Sequence, residues 1–226
     1  MASLARLPVS RPKKQKPWSV EEAQALLENA ASEGDPLYAA YVLMLVLGLR
    51  RGELLGLKWE DVDLAGGELQ VAWQLQRVSR KLIRRETKTQ SSDASLPLPE
   101  ICVTALQAWR QRQIDWRAMA GQAWHEEGFV FTTRFGLPVD PRNFYRDFRR
   151  RASRAGVPVI PVHTTRKTCA SLLVALEVHP RVAMQILRHS QIAVTMNIYS
   201  EVSSKDTREA LKRLGKHLAG EAGRTR

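Results

Sequence analysis

The sequence predicts an α+β fold that is mainly helical and carries one small antiparallel sheet of three strands. Most segments of the 226-residue chain place apolar side chains every three or four positions, the spacing of a helix with one buried face. From Glu68 the spacing changes to that of short strands separated by turn residues. Strands and helices do not alternate along the chain, which argues against a parallel βαβ sheet. With 44 % hydrophobic residues, the chain can bury a core of ordinary size.

Three helices are predicted before the sheet. Ser19 and Glu22 have the spacing of a capping box at the start of the first helix. Asp35-Pro36 begins the second helix, which contains the apolar run from Tyr38 to Leu49. This run is too short to cross a bilayer and predicts a buried helix. A third, short helix is expected over residues 51–57.

The sheet is predicted from three segments, and the rest of the chain from helices. The strands are expected over residues 68–77, 81–88 and 94–98, with Pro97 and Pro99 at the end of the sheet. An amphipathic helix over about 101–119, a brief strand over 128–132 and a helix from Asp140-Pro141 to about 155 follow. The last third is predicted to be helical over residues 163–176, 180–188, 191–199 and 204–219.

Charge and composition narrow the class of partner and the compartment. The formal net charge of +12 favours a polyanionic partner, and the excess of Arg over Lys suits phosphate contacts or reflects codon bias. The N-terminal segment has no apolar signal, and Cys102 and Cys169 stand far apart in apolar stretches. We therefore expect a soluble, cytoplasmic protein with reduced thiols and no membrane partner.

Several kinds of active site are not predicted by the sequence. The histidines and cysteines lack metal-ligand spacing, so no metal is expected. There is no phosphate-binding loop and no Gly-x-Ser-x-Gly turn, so neither nucleotide hydrolysis nor a serine nucleophile is indicated.

Three polar clusters are not explained by the apolar pattern. Arg50 follows the apolar run, and Glu53 is placed to fix its guanidinium by a charge-assisted hydrogen bond. His163 and Arg166 share one face of a helix start, and His189 is followed by Tyr199. Each cluster alone also fits charge complementation at a helix end, a helix cap or ordinary surface and core residues. Their combination on a strongly basic chain is harder to explain in that way.

Together these clusters resemble the tyrosine recombinases, the phage-type integrases, which share their chemistry with type IB topoisomerases. The resemblance covers about residues 17–202, and its sequence boxes occur in the family's order. The first box is Gly-Leu-Arg-Arg-Gly-Glu-Leu-Leu-Gly-Leu-Lys-Trp-Glu-Asp-Val-Asp over residues 48–63. The resemblance implies the catalytic fold of that family, with Tyr199 as nucleophile and the following catalytic partners: Arg50, Lys88, His163, Arg166 and His189.

Lys88 is the implied strand-borne lysine because a turn and the segment Leu96-Pro97-Leu98 follow it; Lys81 is a poorer candidate. The chain departs from the family at Thr164, where an acidic residue is usual, and at Lys167, where His is frequent. Both departures affect capping and a supporting contact, and neither changes a residue named as catalytic.

The resemblance implies a site-specific recombinase that cleaves and rejoins DNA through a 3′-phosphotyrosine intermediate, to integrate or excise a mobile element. It implies no cofactor, no metal and no ATP. The implied partners are double-stranded DNA and accessory factors that bend DNA or set the direction of recombination. The chain is expected to form a homotetramer on synapsed DNA and to be a monomer when isolated. The alternatives are a catalytically weak DNA-binding fragment and a type IB topoisomerase-like activity. The spacing of His189 and Tyr199 argues against the topoisomerase alternative.

Residues 1–17 are expected to form a basic linker or arm, and residues 18–226 the catalytic domain. The family's N-terminal core-binding domain has no counterpart, which suggests a catalytic-domain fragment that begins at an added or internal Met.

A C-terminal helix with Leu211, Leu214 and Leu218 at helical spacing is expected to pack either on its own domain or on a neighbouring subunit. DNA contacts are expected at basic residues of three segments: Lys13, Lys14, Lys16, Arg77, Arg80, Lys81, Arg84, Arg85, Arg146, Arg149 and Arg150.

Overall fold

A computed structural model describes residues 16–87, 94–189 and 191–199. Within these ranges the fold is mainly helical with a small antiparallel sheet, as predicted. The helices are α1 (Val20–Ser32), α2 (Tyr38–Val46), α3 (Arg51–Gly56), α4 (Glu100–Ala120), α5 (Pro141–Arg154), α6 (Thr164–Ala175), α7 (Pro180–Leu187) and α8 (Ile192–Tyr199). The strands are β1 (Val62–Asp63), β2 (Glu68–Val71), β3 (Trp73–Val78), β4 (Lys81–Glu86) and β5 (Ala94–Pro97). Short 3₁₀ turns span Trp59–Asp61 and Gly121–Ala123.

Helix α2 is the centre of the core. Every residue from Ala39 to Leu45 is buried, and the helix contacts α1, α4 and α6. This confirms the buried helix predicted from the apolar run. The helix begins at Tyr38 rather than at Asp35-Pro36, because the Asp35 carboxylate accepts a hydrogen bond from the Leu37 amide (2.8 Å) and holds these residues in a turn.

The strands pair differently from the prediction. The segment expected as one strand over 68–77 is interrupted at Ala72. β2 lies between β1 and β5 in a three-stranded sheet, whereas β3 and β4 form a separate hairpin. This hairpin packs on α3, where a Cβ on Gly56 would lie only 2.8 Å from the backbone of Gln74. Close packing against a helix therefore draws β3 away from the sheet.

One smaller strand prediction is met and another changes. Pro97 is the last residue of β5, where it pairs with Glu68, so it lies at the end of the sheet as predicted. β5 is an edge strand, so the missing amide of proline breaks no ladder. The strand expected over 128–132 consists of two isolated bridges, Lys58 with Phe129 and Thr132 with Pro138.

Helix α5 closes the core on one side through its aromatic face. Phe144 and Phe148 are buried against Tyr41, and Phe148 also contacts Trp18. Near the end of the helix, Arg151 is buried and forms ion pairs with Asp35 (2.6 Å) and Glu33 (2.9 Å). These pairs tie α5 to the turn before α2.

The C-terminal third builds a second, smaller core beneath the end of α2. Its buried residues are Cys169, Ala170 and Leu187, with Leu173 packed against them. Cys169 and Cys102 are both buried free thiols, and burial raises their pKa to about 12. In the described ranges, no helix combines the length and apolarity needed to cross a membrane. The predicted helix over 204–219 lies outside the described residues.

Candidate active site

The sharp connection between α2 and α3 places Arg50. Gly48 has a φ of +59°, and a Cβ there would lie 2.8 Å from the Leu187 side chain, so only glycine fits this turn without displacement. Arg50 follows directly and leaves its side chain 46 % exposed. Its guanidinium Nη1 lies 2.5 Å from Glu53 Oε1, and its backbone amide donates to Glu53 Oε2 at 2.9 Å. Glu53 therefore holds Arg50 as expected from the sequence.

Arg166 enters the same site from the first turn of α6. Its Nη1 donates to the Gly48 carbonyl at 2.8 Å, while its buried Nη2 has no hydrogen-bond partner among the described residues. Burial, followed by the charges of Arg50 and Arg188, lowers the pKa of Arg166 to about 9. The side chain is still protonated at neutral pH, so it presents a buried cationic donor next to Arg50.

His189 is oriented by a neighbour on α8. Its Nδ1 lies 2.9 Å from the hydroxyl oxygen of the buried Thr195. Burial, together with the charges of Arg166, Arg50 and Arg188, lowers the pKa of His189 to about 4. The imidazole is therefore neutral near pH 7.

Arg188 belongs to the site and was missed by sequence reasoning. Its side chain is only 1 % exposed, and its Nη2 lies 2.8 Å from Glu53 Oε2. Its position next to His189 was visible in the sequence, but its partner lies 135 residues away along the chain. Sequence periodicity gives no signal for such a pair.

The electrostatics of the cluster favour an anion. Burial alone would raise the pKa of Glu53, but the charge of Arg188 and the hydrogen bonds and charge of Arg50 lower it overall. Glu53 is therefore ionised and faces three guanidinium groups, those of Arg50, Arg166 and Arg188. One carboxylate cannot neutralise three cations, so the cluster keeps an excess of positive charge in a partly dry site. A phosphate group would meet this excess with bidentate acceptors.

Tyr199 lies at the end of α8, and its hydroxyl is engaged elsewhere. It donates a hydrogen bond to the carbonyl oxygen of Val178, between α6 and α7. Burial raises the pKa of this phenol above its ordinary value. The structure thus brings Arg50, Arg166 and His189 together and leaves the Tyr199 hydroxyl bonded to the backbone.

The structure does not join the other two predicted catalytic residues, His163 and Lys88, to this cluster. His163 is exposed at the residue before α6, and within the described ranges its ring makes no hydrogen bond. Lys88 lies outside the described residues, two positions beyond the end of β4.

The basic residues of the β3–β4 hairpin form two groups, one exposed and one paired within the protein. Arg80, Lys81 and Arg85 are exposed. Arg84 is half-buried; its guanidinium contacts Asp61 (2.7 Å), donates to the Gly56 carbonyl and stacks over Trp73. Arg77 pairs with Asp140. Arg84 and Arg77 therefore serve contacts within the protein.

The remaining predicted DNA contacts lie on α5 and at the N-terminus. Arg146, Arg149 and Arg150 are exposed on α5, where Arg150 pairs with Asp147 at 2.7 Å. Lys16 is exposed, whereas Lys13 and Lys14 lie outside the described residues. In the described ranges no group of three or more His, Cys, Asp or Glu side chains is placed to hold a metal ion.

Comparison with known proteins identifies the family. The model of the phage integrase family matches residues 18–206, most of the chain. This chain belongs to the phage integrase family. A tyrosine recombinase XerC-like protein of Caldanaerobacter subterraneus subsp. tengcongensis is 34 % identical over 209 residues, which cover 87 % of this chain and 53 % of that protein. An integrase of Streptomyces ambofaciens is 31 % identical and covers 88 % and 53 % of the two chains. The chain therefore spans about half the length of the curated relatives it matches.

Solved structures of an integrase and of a recombinase have the same architecture. The Tn1549 transposon integrase in complex with transposon right end DNA superposes with a TM-score of 0.73 at 26 % identity, covering 92 % of this chain and 68 % of that one. A XerA recombinase superposes with a TM-score of 0.67 at 24 % identity, covering 92 % and 66 %. The predicted family and its catalytic fold are confirmed.

Proposed function

We propose that this chain carries the strand-transfer chemistry of a site-specific DNA recombinase that integrates or excises a mobile element. The observation that carries the proposal is the cluster of Arg50, Arg166 and His189 around an excess of buried positive charge, on a chain that ends its last described helix with Tyr199. Relatives named as integrases and recombinases favour recombination over DNA binding alone or DNA relaxation.

The reaction proposed is a transesterification at a DNA phosphodiester. The Tyr199 oxygen attacks phosphorus, the 5′-oxygen leaves, and a 3′-phosphotyrosine forms. The new ester conserves the energy of the broken bond, so the reverse attack by a 5′-hydroxyl reseals DNA without ATP. A phenol has a pKa of about 10, so the site has to assist its deprotonation.

Arg50 and Arg166 suit the stabilisation of the transition state. Their guanidinium groups stay charged and bind two oxygens at once, and Arg166 already has a donor without a partner among the described residues. One positioned donor in such a site contributes about 3 kcal/mol to lowering the barrier. The charge of these groups supports a reaction that requires no metal.

His189, His163 and Lys88 complete the proposed proton and hydrogen-bond assignments. His189 is neutral at pH 7 and donates one hydrogen bond to a non-bridging oxygen. His163 accepts the tyrosine proton, and Lys88 donates a proton to the leaving oxygen. In the structure the Tyr199 hydroxyl donates to the Val178 carbonyl, so attack requires this hydrogen bond to break. Breaking one such hydrogen bond costs about 1 kcal/mol.

DNA is proposed to run along basic residues of three segments. The exposed ones among the described residues are Lys16, Arg80, Lys81, Arg85, Arg146, Arg149 and Arg150. Lys13 and Lys14, outside the described residues, stay in the proposed set on their sequence position alone. Arg77 and Arg84 are withdrawn from this set because each is paired within the protein. A homotetramer on synapsed DNA, accessory factors and a cytoplasmic location remain part of the proposal.

A covalent-adduct assay tests the proposed function. The DNA substrate is a nicked duplex from which the short cleaved fragment dissociates, so that rejoining is prevented. Incubated with this DNA in EDTA, the wild-type protein should form a protein–DNA adduct that survives detergent. Tyr199→Phe removes only the attacking oxygen and should form none, while retaining DNA affinity. An adduct of undiminished yield with Tyr199→Phe would contradict the assignment.

A further inference from the structure

Arg188 has no part in the proposed transfer, yet it occupies a position that is costly for arginine. Its side chain is almost completely buried, which is rare for this residue type unless it is paired. Its backbone has φ 51° and ψ 48°, a left-handed conformation that disfavours residues with a Cβ. The native contacts of the side chain have to offset both costs.

These contacts connect three segments of the site. Nη2 lies 2.8 Å from Glu53 Oε2 on α3, and Nη1 donates to the Ile186 carbonyl at 3.1 Å. Nη1 is also 3.5 Å from the Leu47 carbonyl at the end of α2. Because Glu53 also binds the side chain and backbone of Arg50, a continuous series of contacts runs from Arg50 through Glu53 and Arg188 to the adjacent His189.

A second buried arginine is paired differently from Arg188. Arg151 is 7 % exposed on its side chain and pairs with two carboxylates, those of Asp35 and Glu33. Arg188 instead shares one carboxylate with Arg50, and its buried Nε has no partner among the described residues. Because both arginines bind the Glu53 carboxylate, Glu53 is held from two sides. The charge of the half-exposed Arg50 is then only partly neutralised. That state suits a side chain that has to receive an anion.

We propose that Arg188 is a positioning residue that fixes Arg50 through Glu53 and His189 through its own backbone, so that both side chains meet the same phosphate. This inference rests on the proposed function, because the phosphate is that of the DNA strand. Arg188 does not touch the DNA. Misplacement of a reacting group by about 1 Å lowers a rate by about 100-fold, so loss of Arg188 should act on the chemical step.

Two substitutions and one matched control separate positioning from stability. Arg188→Gly suits the left-handed backbone and removes the side chain, and Arg188→Lys keeps the charge. Arg151→Lys changes the comparable buried arginine at the other end of α2. The DNA substrate is first selected from a pool of nicked duplexes with randomised sequences beside the nick. DNA that becomes linked to the wild-type protein is recovered and sequenced, and the duplex found in this way is used for all variants.

At saturating DNA, Arg188→Gly should lower the single-turnover rate of adduct formation by about 100-fold with little change in the dissociation constant. Arg188→Lys should be intermediate, because an ammonium reaches Glu53 but cannot span to the carbonyls as a guanidinium does. Arg151→Lys should react at the wild-type rate. A folded Arg188→Gly that reacts as fast as wild type, or an equal loss in Arg151→Lys, would overturn the proposal.

Failure of the proposed function is recognised separately, as absence of any adduct with the wild-type protein. The positioning claim is then decided by NMR of the His189 ring in the DNA-free protein. Arg188→Gly should move its resonances and raise its pKa above about 4, because one of the charges that lower it is lost, and Arg188→Lys should also move them although the charge is kept. Arg151→Lys should leave them in place. Unchanged His189 resonances in Arg188→Gly would overturn the proposal whether or not adducts form.

Discussion

At the scale of single residues, the site is organised by one carboxylate among three guanidinium groups. Glu53 binds Arg50 and Arg188 directly, while Arg166 lies close enough for its charge to act on both. The cations that remain under-compensated are Arg50, which is half exposed, and Arg166, which keeps a buried donor. These two are the side chains with most to gain from an incoming phosphate.

Substitution of either arginine should affect the chemical step more than binding. Arg50→Ala or Arg166→Ala removes a donor to the transition state, and we expect cleavage to fall by about 100-fold or more. Most of the DNA affinity should remain, because it is spread over many surface cations. Single-turnover cleavage and filter binding measure the two quantities.

Arg51 provides the control for Arg50, since it is the adjacent arginine, is exposed and makes no ion pair within the described ranges. Arg51→Ala should cleave at the wild-type rate. If Arg50→Ala and Arg51→Ala lose affinity and cleavage in equal proportion, Arg50 is a simple DNA contact.

His189 should make stability depend on pH. Its pKa is about 4 in the folded protein, against 6.5 for the unperturbed group. The unfolded chain therefore binds the proton more tightly, and this contribution to stability is lost as pH falls from about 6.5 towards 4. Urea unfolding at several pH values should show that loss, and His189→Asn should remove it. An identical pH dependence in His189→Asn would assign the effect to other groups.

At the scale of elements, the turn between α2 and α3 carries the site. Gly48 supplies the left-handed conformation, accepts the Arg166 hydrogen bond at its carbonyl, and packs against Leu187 and Cys169. One residue thus links the central helix to α6 and to the end of α7.

Gly48→Ala should lower the free energy of unfolding by about 2–4 kcal/mol, because backbone strain and overpacking add. Gly67→Ala is the matched control: it has a similar φ of +67°, but its Cβ would meet no atom closer than 4.0 Å. That variant should lose only about 1–2 kcal/mol. Equal losses would mean that packing against Leu187 is unimportant.

The sequence predicted the helices better than the sheet, for a physical reason. The helical elements α5 to α8 follow from local apolar spacing and from caps such as Asp140, which accepts from the Arg142 amide. The division of strand 68–77 at Ala72 depends on how closely Gly56 lets α3 approach β3. Such an approach is a tertiary contact and leaves no periodic signal.

At the scale of the whole molecule, the charge of +12 is distributed between internal pairs and a free surface. Adjacent strand residues face opposite sides, so Arg84 turns inward to Asp61 while Arg85 stays exposed. Basic residues next to each other in sequence therefore have different roles.

This difference predicts distinct salt dependences of DNA binding. Arg85→Ala should reduce the slope of log affinity against log salt by about 1, because one phosphate contact is lost. Arg84→Ala should leave the slope unchanged and lower thermal stability, because it removes the pair with Asp61. A reduced slope in Arg84→Ala would place that side chain on the DNA.

The candidate site was predictable where its contacts are local. The pair Arg50 and Glu53 is three residues apart and was inferred from spacing alone. The pair Glu53 and Arg188 and the bond from Tyr199 to Val178 join separate segments of the chain, so no local pattern predicts either. Residue types identify the chemistry, and the fold determines which of them cooperate.

The most direct test of strand transfer by Tyr199 is the identity of the DNA-linked residue. Adducts trapped on nicked duplexes are digested with nuclease and trypsin, and the modified peptide is sequenced by mass spectrometry. We expect a phosphate ester on Tyr199 that retains the 3′ end of the cleaved strand. A nucleotide linked to any other residue, or attached through its 5′ end, would contradict it.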